Sequence, residues 1–338
     1  MQSIPTILTS LLVLMTTLSA AAQILSWKEG KKLVLAKGGY ASGIFEGKLL
    51  LAGGTYWKDD KKLWTDEVVA YDPGHDRWDA LPSLPKALAY GASAADEEAF
   101  YFLGGAGPEQ SERAGYRLKR QGGTFQWEEF TRLPMDRSYS RAAVLDGQLL
   151  LAGGSESSTD LSKASTALLG LSLRKPKATW KTLRPMPEEG RAVFAAASCN
   201  GKWYVFGGCL VESGDVRNLG SAYKYDPGAD SWTRLHDVPA PTRAWSASSA
   251  DDRFIFLFGG YSSSQDPGGA AKSGGFEQRV IRYDTKLDTY QDMAPLPFAN
   301  ADMNFHFLNG AFYGAGGEPL QKARAAWTFI GHLQGGPR

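Results

Sequence analysis

Short apolar runs recur along this chain, and six of them end in a glycine pair: Gly53/Gly54, Gly104/Gly105, Gly153/Gly154, Gly207/Gly208, Gly259/Gly260 and Gly316/Gly317. Brief apolar runs bounded by turn residues predict buried β-strands, because a helix needs a longer periodic stretch. The fourth repeat shows the grammar in full. Residues 195–198 and 203–206 flank a turn at Asn200 and Gly201, residues 222–225 run into Asp226, Pro227 and Gly228, and Trp232 begins a fourth strand. The Asp-Pro-Gly turn ends the third strand, since proline has no N–H for a ladder and glycine accepts positive φ. The same order appears as Tyr71-Asp72-Pro73-Gly74 before Trp78, as Tyr283-Asp284 before Tyr290, and in weaker form before Trp127 and Trp180. Each repeat therefore predicts four antiparallel strands.

The first glycines of successive pairs are 51, 49, 54, 52 and 57 residues apart. A period near fifty marked by a double glycine is the signature of kelch-type repeats, so the expected fold is all-β, a six-bladed kelch-type β-propeller. Trp78, Trp127 and Tyr290 each stand 26 residues before the next glycine pair, and Trp180 and Trp232 stand 27 before theirs. Trp27 also stands 26 residues before Gly53, although no blade precedes it. The last repeat ends at a third strand, near residues 325–330. The N-terminal strand is thus predicted to complete the C-terminal blade, which closes the ring and removes its open edges.

Residues 1–22 read as an export leader: an apolar run, then Ala20, Ala21 and Ala22 as a small-residue cleavage site, although no Lys or Arg precedes the run. Residues 23–338 would then be one propeller domain, periplasmic or secreted, with no membrane contact after cleavage. With 37 basic and 36 acidic residues the net charge is +1, which gives no electrostatic basis for a nucleic-acid partner. Cys199 and Cys209 fall on opposite arms of a hairpin, Cys199 at its turn and Cys209 at its far end, roughly 20 Å apart at the usual rise, so two unpaired thiols are expected. The four histidines, His75, His236, His306 and His332, are scattered over turns and strands. No metal site or cofactor cradle is predicted.

In a propeller blade the innermost strand comes first, so the loop entering it and the loop after the glycine pair open on one face. The entering loops carry Lys86, Arg137, Arg141, Glu188, Glu189, Arg191, Arg243, Asn300 and Asp302. The loops after the glycines carry Tyr56, Trp57, Glu156, Glu212, Tyr261 and Glu318. Chemistry is expected there, on loops held by a rigid scaffold.

One of these loops stands out, because Gly317 runs directly into Glu318 and Arg324 follows six residues later. The segment 317–324 resembles the Gly-Glu-x5-Arg loop of the sialic acid mutarotases (N-acetylneuraminate epimerases), six-bladed periplasmic kelch propellers. A second stretch, Pro187 to Arg191 running on to Val205-Phe206-Gly207-Gly208, resembles the start of that family's second blade. The two matches keep a single blade between them but sit two blades later, so the chain resembles a circularly permuted branch. The resemblance implies Glu318 as proton acceptor and Arg324 as its site partner.

Anomer exchange of a sugar hemiketal needs a base for the anomeric hydroxyl, an acid for the ring oxygen and a group to stabilise the carbonyl oxygen that forms. Arg324, Arg191 and Arg243 are the foremost candidates to grip a substrate carboxylate, with Arg141 a further binding candidate, since a guanidinium fork matches two oxygens. Tyr56 and Trp57 are candidates to stack on a sugar ring. Other roles stand beside these. Glu318 and Arg324 could form a surface ion pair, the other three arginines could bond loop carbonyls, and His306 fits a satisfied core histidine better than a catalyst. The competing function is a non-catalytic exported propeller that binds a glycan or a protein.

Overall fold

The computed structural model describes residues 24–262 and 275–335. The leader-like residues 1–22 and residues 263–274, most of a Gly/Ser-rich excursion expected between Ser262 and Arg279, lie outside the described residues. The described residues form six four-stranded antiparallel sheets and two small hairpins. From the axis outward, blade 1 contains Ala41–Phe45, Lys48–Ala52, Val68–Asp72 and Arg77–Leu81. Blade 4 repeats this as Ala195–Cys199, Lys202–Phe206, Ala222–Asp226 and Ser231–Leu235. The hairpins Thr55–Lys58/Lys61–Trp64 and Cys209–Glu212/Asp215–Asn218 rise from the loops after the first and fourth glycine pairs.

The ring closes as predicted. Blade 6 takes Phe305–Leu308, Ala311–Ala315 and Thr328–Gln334 from the C-terminus, and its outer strand is Ile24–Gly30. Trp27 faces Gly331 across this seam and packs edge-on against Phe258 and Phe305. The third strand begins at Thr328, later than the expected 325. The residues before it are held to the glycine pair: Ala325 N–H donates to Gly317 O and Gly316 N–H donates to Trp327 O, each at 2.9 Å.

Apolar packing lies between blades rather than in one central core. One cluster joins Phe45 and Leu50 of blade 1 to Phe100 and Phe102 of blade 2, and another joins Leu49 and Tyr71 of blade 1 to Tyr313 and Ile330 of blade 6. Each blade is thus buried by its neighbours, which makes closure of the last interface essential to stability. The inner strands crowd the axis and are rich in Ala, Ser and Gly. Their free edges are capped by hydroxyls: Ser42 N–H donates to Ser93 Oγ, and Phe305 N–H and Phe307 N–H donate to Ser246 Oγ and Ser248 Oγ.

The glycine pairs couple blades. The second glycine of every pair donates its N–H to a backbone carbonyl of the loop entering the next blade, from Gly54 to Leu88 (2.8 Å) around to Gly317 and Lys37 (2.9 Å). A Cβ on Gly53 would lie 2.2 Å from Leu88 O, and one on Gly316 would lie 2.5 Å from Lys37 O. Both members of every pair have positive φ. A side chain is therefore excluded by space and by conformation. Cys199 and Cys209 are free and buried, and burial pushes the Cys209 thiol up to about 11.

Candidate functional site

Six equivalent residues encircle the axis where the entering loops turn into the inner strands: Gly39, Tyr90, Tyr139, Val193, Ala244 and Asp302. All six have positive φ. Their backbones hydrogen-bond in a circle, with N–H donated from Tyr90 to Gly39 O (2.6 Å), Tyr139 to Tyr90 O (2.8 Å), Val193 to Tyr139 O (3.1 Å), Ala244 to Val193 O (2.8 Å) and Asp302 to Ala244 O (2.7 Å). The final link is different, because Gly39 N–H donates to the carboxylate Oδ2 of Asp302. Left-handed non-glycine residues are strained, and for β-branched Val193 especially so; the hydrogen-bonded circle is what holds them there.

This circle forms the floor of a cavity of about 400 Å³, open on the face that carries the post-glycine loops. Its walls include Trp57, Lys62, Asn304, Glu318, Gln321, Lys322 and Arg324. Tyr40, Gly91, Arg141 and Asn304 line both this cavity and a channel of about 360 Å³ running down the axis between the inner strands. A ligand space of this size suits a single sugar or a comparably small molecule.

Glu318 and Arg324 meet in this cavity, with Arg324 Nη1 3.0 Å from Glu318 Oε1. The position of Glu318 follows from the fold. Its backbone exchanges both hydrogen bonds with Ala301 at 2.9 and 2.7 Å, and its N–H also reaches Asn300 Oδ1 at 3.0 Å. The equivalent positions in the other blades hold Thr55, Ala106, Ser155, Cys209 and Tyr261, so blade 6 alone places a carboxylate there. Arg324 is anchored by Thr55 Oγ1, which accepts from Nε and Nη2, and by the Ala323 carbonyl, which accepts from Nη1. Its side chain is 6% exposed and that of Glu318 is 27%, so the pair is fixed from the protein side and open from the cavity side.

Asp302 is the second carboxyl in the cavity. Burial pushes it up to about 6, reinforced by Glu318 and opposed by Arg324, Arg141 and the Gly39 N–H. Arg141 starts the inner strand of blade 3 and reaches the junction of cavity and channel. Among the described residues no carboxylate lies within ion-pair distance of it, and burial lowers its pKa. His306 sits further down the channel, its Nε2 2.8 Å from Ser42 Oγ, and burial with the Arg141 charge lowers it to about 4. The Tyr90 and Tyr139 rings pack against each other at a tilt of 36° with centroids 4.7 Å apart, and Lys62 Nζ lies over Tyr90 and donates to its hydroxyl.

Of the residues singled out in the sequence, Glu318, Arg324, Arg141 and Trp57 line the cavity; Tyr56, Arg191 and Arg243 do not. Arg191 is fully buried inside blade 4, donating to Gly207 O (2.9 Å), Ser221 O (3.0 Å) and Ser221 Oγ (2.7 Å). Arg243 lies over the Tyr261 ring and donates to Asn218 Oδ1. The three arginines are also not equivalent: Arg191 is two residues before the circle position of its blade, Arg243 one before, and Arg141 two after. The charges expected on the rim are engaged away from the cavity, with Lys86 on Glu112 and Arg217 on Glu189 and Glu212.

Lys62, Tyr90, Tyr139, Asn304 and Lys322 reach the cavity without having been marked, and Asp302 was marked only as a loop residue. A signal was present for the circle. Its members stand 14 residues before the first glycine of each pair, or 15 in the fifth repeat.

Residues 190–238 match the Kelch motif, which places one full motif on blade 4. The chain is similar to Kelch-like protein 34 of Homo sapiens, 26% identical over 249 residues covering 71% of this chain and 35% of that protein. It is similar to Kelch-like protein 35 of Mus musculus, 26% identical over 264 residues covering 77% of this chain and 40% of that protein. It is also similar to the N-acetylneuraminate epimerase of Haemophilus influenzae, 30% identical over 129 residues, 36% of this chain and 34% of that protein. The chain spans less than half the length of these relatives.

Proposed function

We propose that this propeller is a mutarotase for an acidic sugar, with N-acetylneuraminate the first substrate to test. The observation that carries the reading is the Glu318–Arg324 pair, held 3.0 Å apart on the wall of a cavity sized for one sugar. The charges around it favour an anionic ligand. Lys62, Arg141, Lys322 and Arg324 line the space against two carboxylates, and Arg141 has no ion-pair partner among the described residues. In this mechanism Glu318 removes the proton of the anomeric hydroxyl, and Arg324 stabilises the carbonyl oxygen as the ring opens. Arg141 grips the substrate carboxylate, and Trp57 with the Tyr90–Tyr139 pair receives the apolar face of the ring. The partial similarity to an N-acetylneuraminate epimerase supports the choice of sugar. The reading also takes residues 1–22 as an export leader, so that the enzyme would meet its sugar in the periplasm or outside the cell.

Proton NMR of α-N-acetylneuraminate, at a pH where spontaneous exchange is slow, tests the proposal. Catalytic amounts of the protein should speed the approach to the β anomer, and Glu318→Gln should remove the acceleration while the fold is kept. An unchanged rate with the unaltered protein sinks the reading.

A second reading is favoured by the wider coverage of the kelch-like relatives, which match 71% and 77% of this chain. On that reading the same face binds a glycan or a protein without reaction. Line broadening of the sugar signals with no change in rate is its expected result for a glycan.

A further inference from the structure

We propose that Asp302 is the second catalytic carboxyl, donating a proton to the ring oxygen while Glu318 takes one from the anomeric hydroxyl; the proposal rests on the mutarotase reading. Ring opening requires both transfers, and one carboxylate cannot perform them at once on two oxygens of the sugar. Asp302 adjoins Ala301, the backbone partner of Glu318, so the fold brings the floor carboxyl and the wall carboxyl to the same side of the cavity. Arg324 is their common neighbour. A methyl group on Gly38 would sit 2.9 Å from Arg324 Cδ and Nε and 3.2 Å from Asp302 Oδ2, so both side chains converge on the space that glycine leaves open.

The two oxygens of Asp302 have different duties. Oδ2 accepts the Gly39 N–H and fixes the side chain, whereas Oδ1 has no hydrogen-bond partner among the described residues and is the atom left for a ligand. The other five circle residues carry no carboxyl, so this is the one position of the floor that can deliver a proton of this kind. The groups facing Asp302 are Tyr40, Tyr139, Arg141, Glu318 and Arg324. Glu318 is ion-paired with Arg324, whereas Asp302 is buried and holds its proton to a higher pH than an ordinary carboxyl.

The step balances. The anomeric O–H gives its proton to Glu318, the carbon–ring-oxygen bond breaks with its electron pair going to the ring oxygen, and that oxygen takes the proton of Asp302. The anomeric carbon becomes a ketone and the ring oxygen a hydroxyl. After rotation about the adjoining carbon–carbon bond, the hydroxyl returns its proton to Asp302 and adds to the other face of the carbonyl. Glu318 then reprotonates the carbonyl oxygen, and both carboxyls are restored.

The test is the pH profile of kcat/KM for N-acetylneuraminate anomerisation by the full chain, compared with Asp302→Asn. The unaltered protein should lose activity on the alkaline side, with an inflection near 6. Asp302→Asn keeps an oxygen acceptor for Gly39 N–H but has no proton to give, so it should fall by about 100-fold and lose that inflection. Near-normal activity of Asp302→Asn with an unchanged profile overturns the proposal. If Asp302→Asn does not fold, a flat alkaline limb in the unaltered protein overturns it equally well. Failure of the unaltered protein to catalyse at all is a different result and removes the mutarotase reading, with this proposal along with it.

Discussion

Gly39 donates its backbone N–H to the side-chain carboxylate of Asp302, where each of the other five boundaries between blades offers a backbone carbonyl. The two residues are 263 positions apart and belong to the first and last blades. Besides the strand Ile24–Gly30 at the rim and the Gly317–Lys37 backbone bond, the seam of the ring is therefore held at the axis by a carboxylate. That carboxylate also lines the cavity, so closure of the fold and the wall of the candidate site share a residue.

The seam gives the protein an unusual acid response. Asp302 is raised to about 6 from 3.8, so the folded state binds its proton first and stability rises as pH falls from 6 towards 4. His306 is lowered to about 4 from 6.5, so the unfolded state binds first and stability falls over nearly the same window. Each effect is on the order of 3 kcal/mol, and in the unaltered protein they offset one another. Asp302→Asn should therefore lose on the order of 3 kcal/mol more than the unaltered protein between pH 6.5 and 4, and His306→Gln should gain by a similar amount. Urea unfolding at stepped pH measures both. Curves for the two variants that parallel the unaltered one would show that these groups are not shifted in opposite directions.

Gly38 is the quiet member of the site. Its φ is not in the left-handed region, so alanine fits the backbone there. The new methyl would lie 2.9 Å from Arg324 Cδ and 3.2 Å from Asp302 Oδ2 and would displace the ends of both side chains. Gly38→Ala is expected to reduce the anomerisation rate at least tenfold, since a displacement of about 1 Å at reacting groups has effects of that size or more. Its unfolding free energy should stay within about 1 kcal/mol of the unaltered protein, because flexible side-chain ends can yield. Unchanged kinetics would mean that Arg324 and Asp302 are not working as a set.

The architecture was legible in the sequence because the same backbone event recurs six times. A glycine pair is required wherever the next blade's carbonyl approaches within 2.2 to 2.7 Å of a would-be Cβ, and an aromatic residue marks each outer strand. Trp27 revealed the seam for that reason. Within the site, legibility fell to single residues. Glu318 was visible because it follows a glycine pair directly, whereas separating Arg141 from Arg191 and Arg243 depends on their phase relative to the left-handed circle residue. That phase is carried by Tyr90, Tyr139, Val193 and Ala244, whose residue types do not mark them as left-handed and which only their spacing before the glycine pairs singles out. The role of Asp302 was less visible still, since a side chain replacing a backbone carbonyl leaves no periodic trace.

Arg191 provides the clearest separation of scaffold from site. Its guanidinium is enclosed, with the Tyr223 ring 5.0 Å away and the Gly207 and Ser221 oxygens as acceptors, so it couples the fourth glycine pair to the third strand of its own blade. Arg191→Met keeps the length of the side chain but leaves those oxygens without donors, at a cost of about 3 kcal/mol. The midpoint of urea unfolding should move by that amount, while the folded fraction retains the KM of the unaltered protein. Arg141→Met should do the reverse, raising KM at least tenfold with a smaller effect on stability, because its charge faces the cavity and, among the described residues, its guanidinium makes one weak hydrogen bond, to the Ser140 carbonyl at 3.4 Å. If Arg191→Met raised KM and left stability alone, the guanidinium would have to reach the ligand, and the blade 4 hydrogen bonds would not be its function.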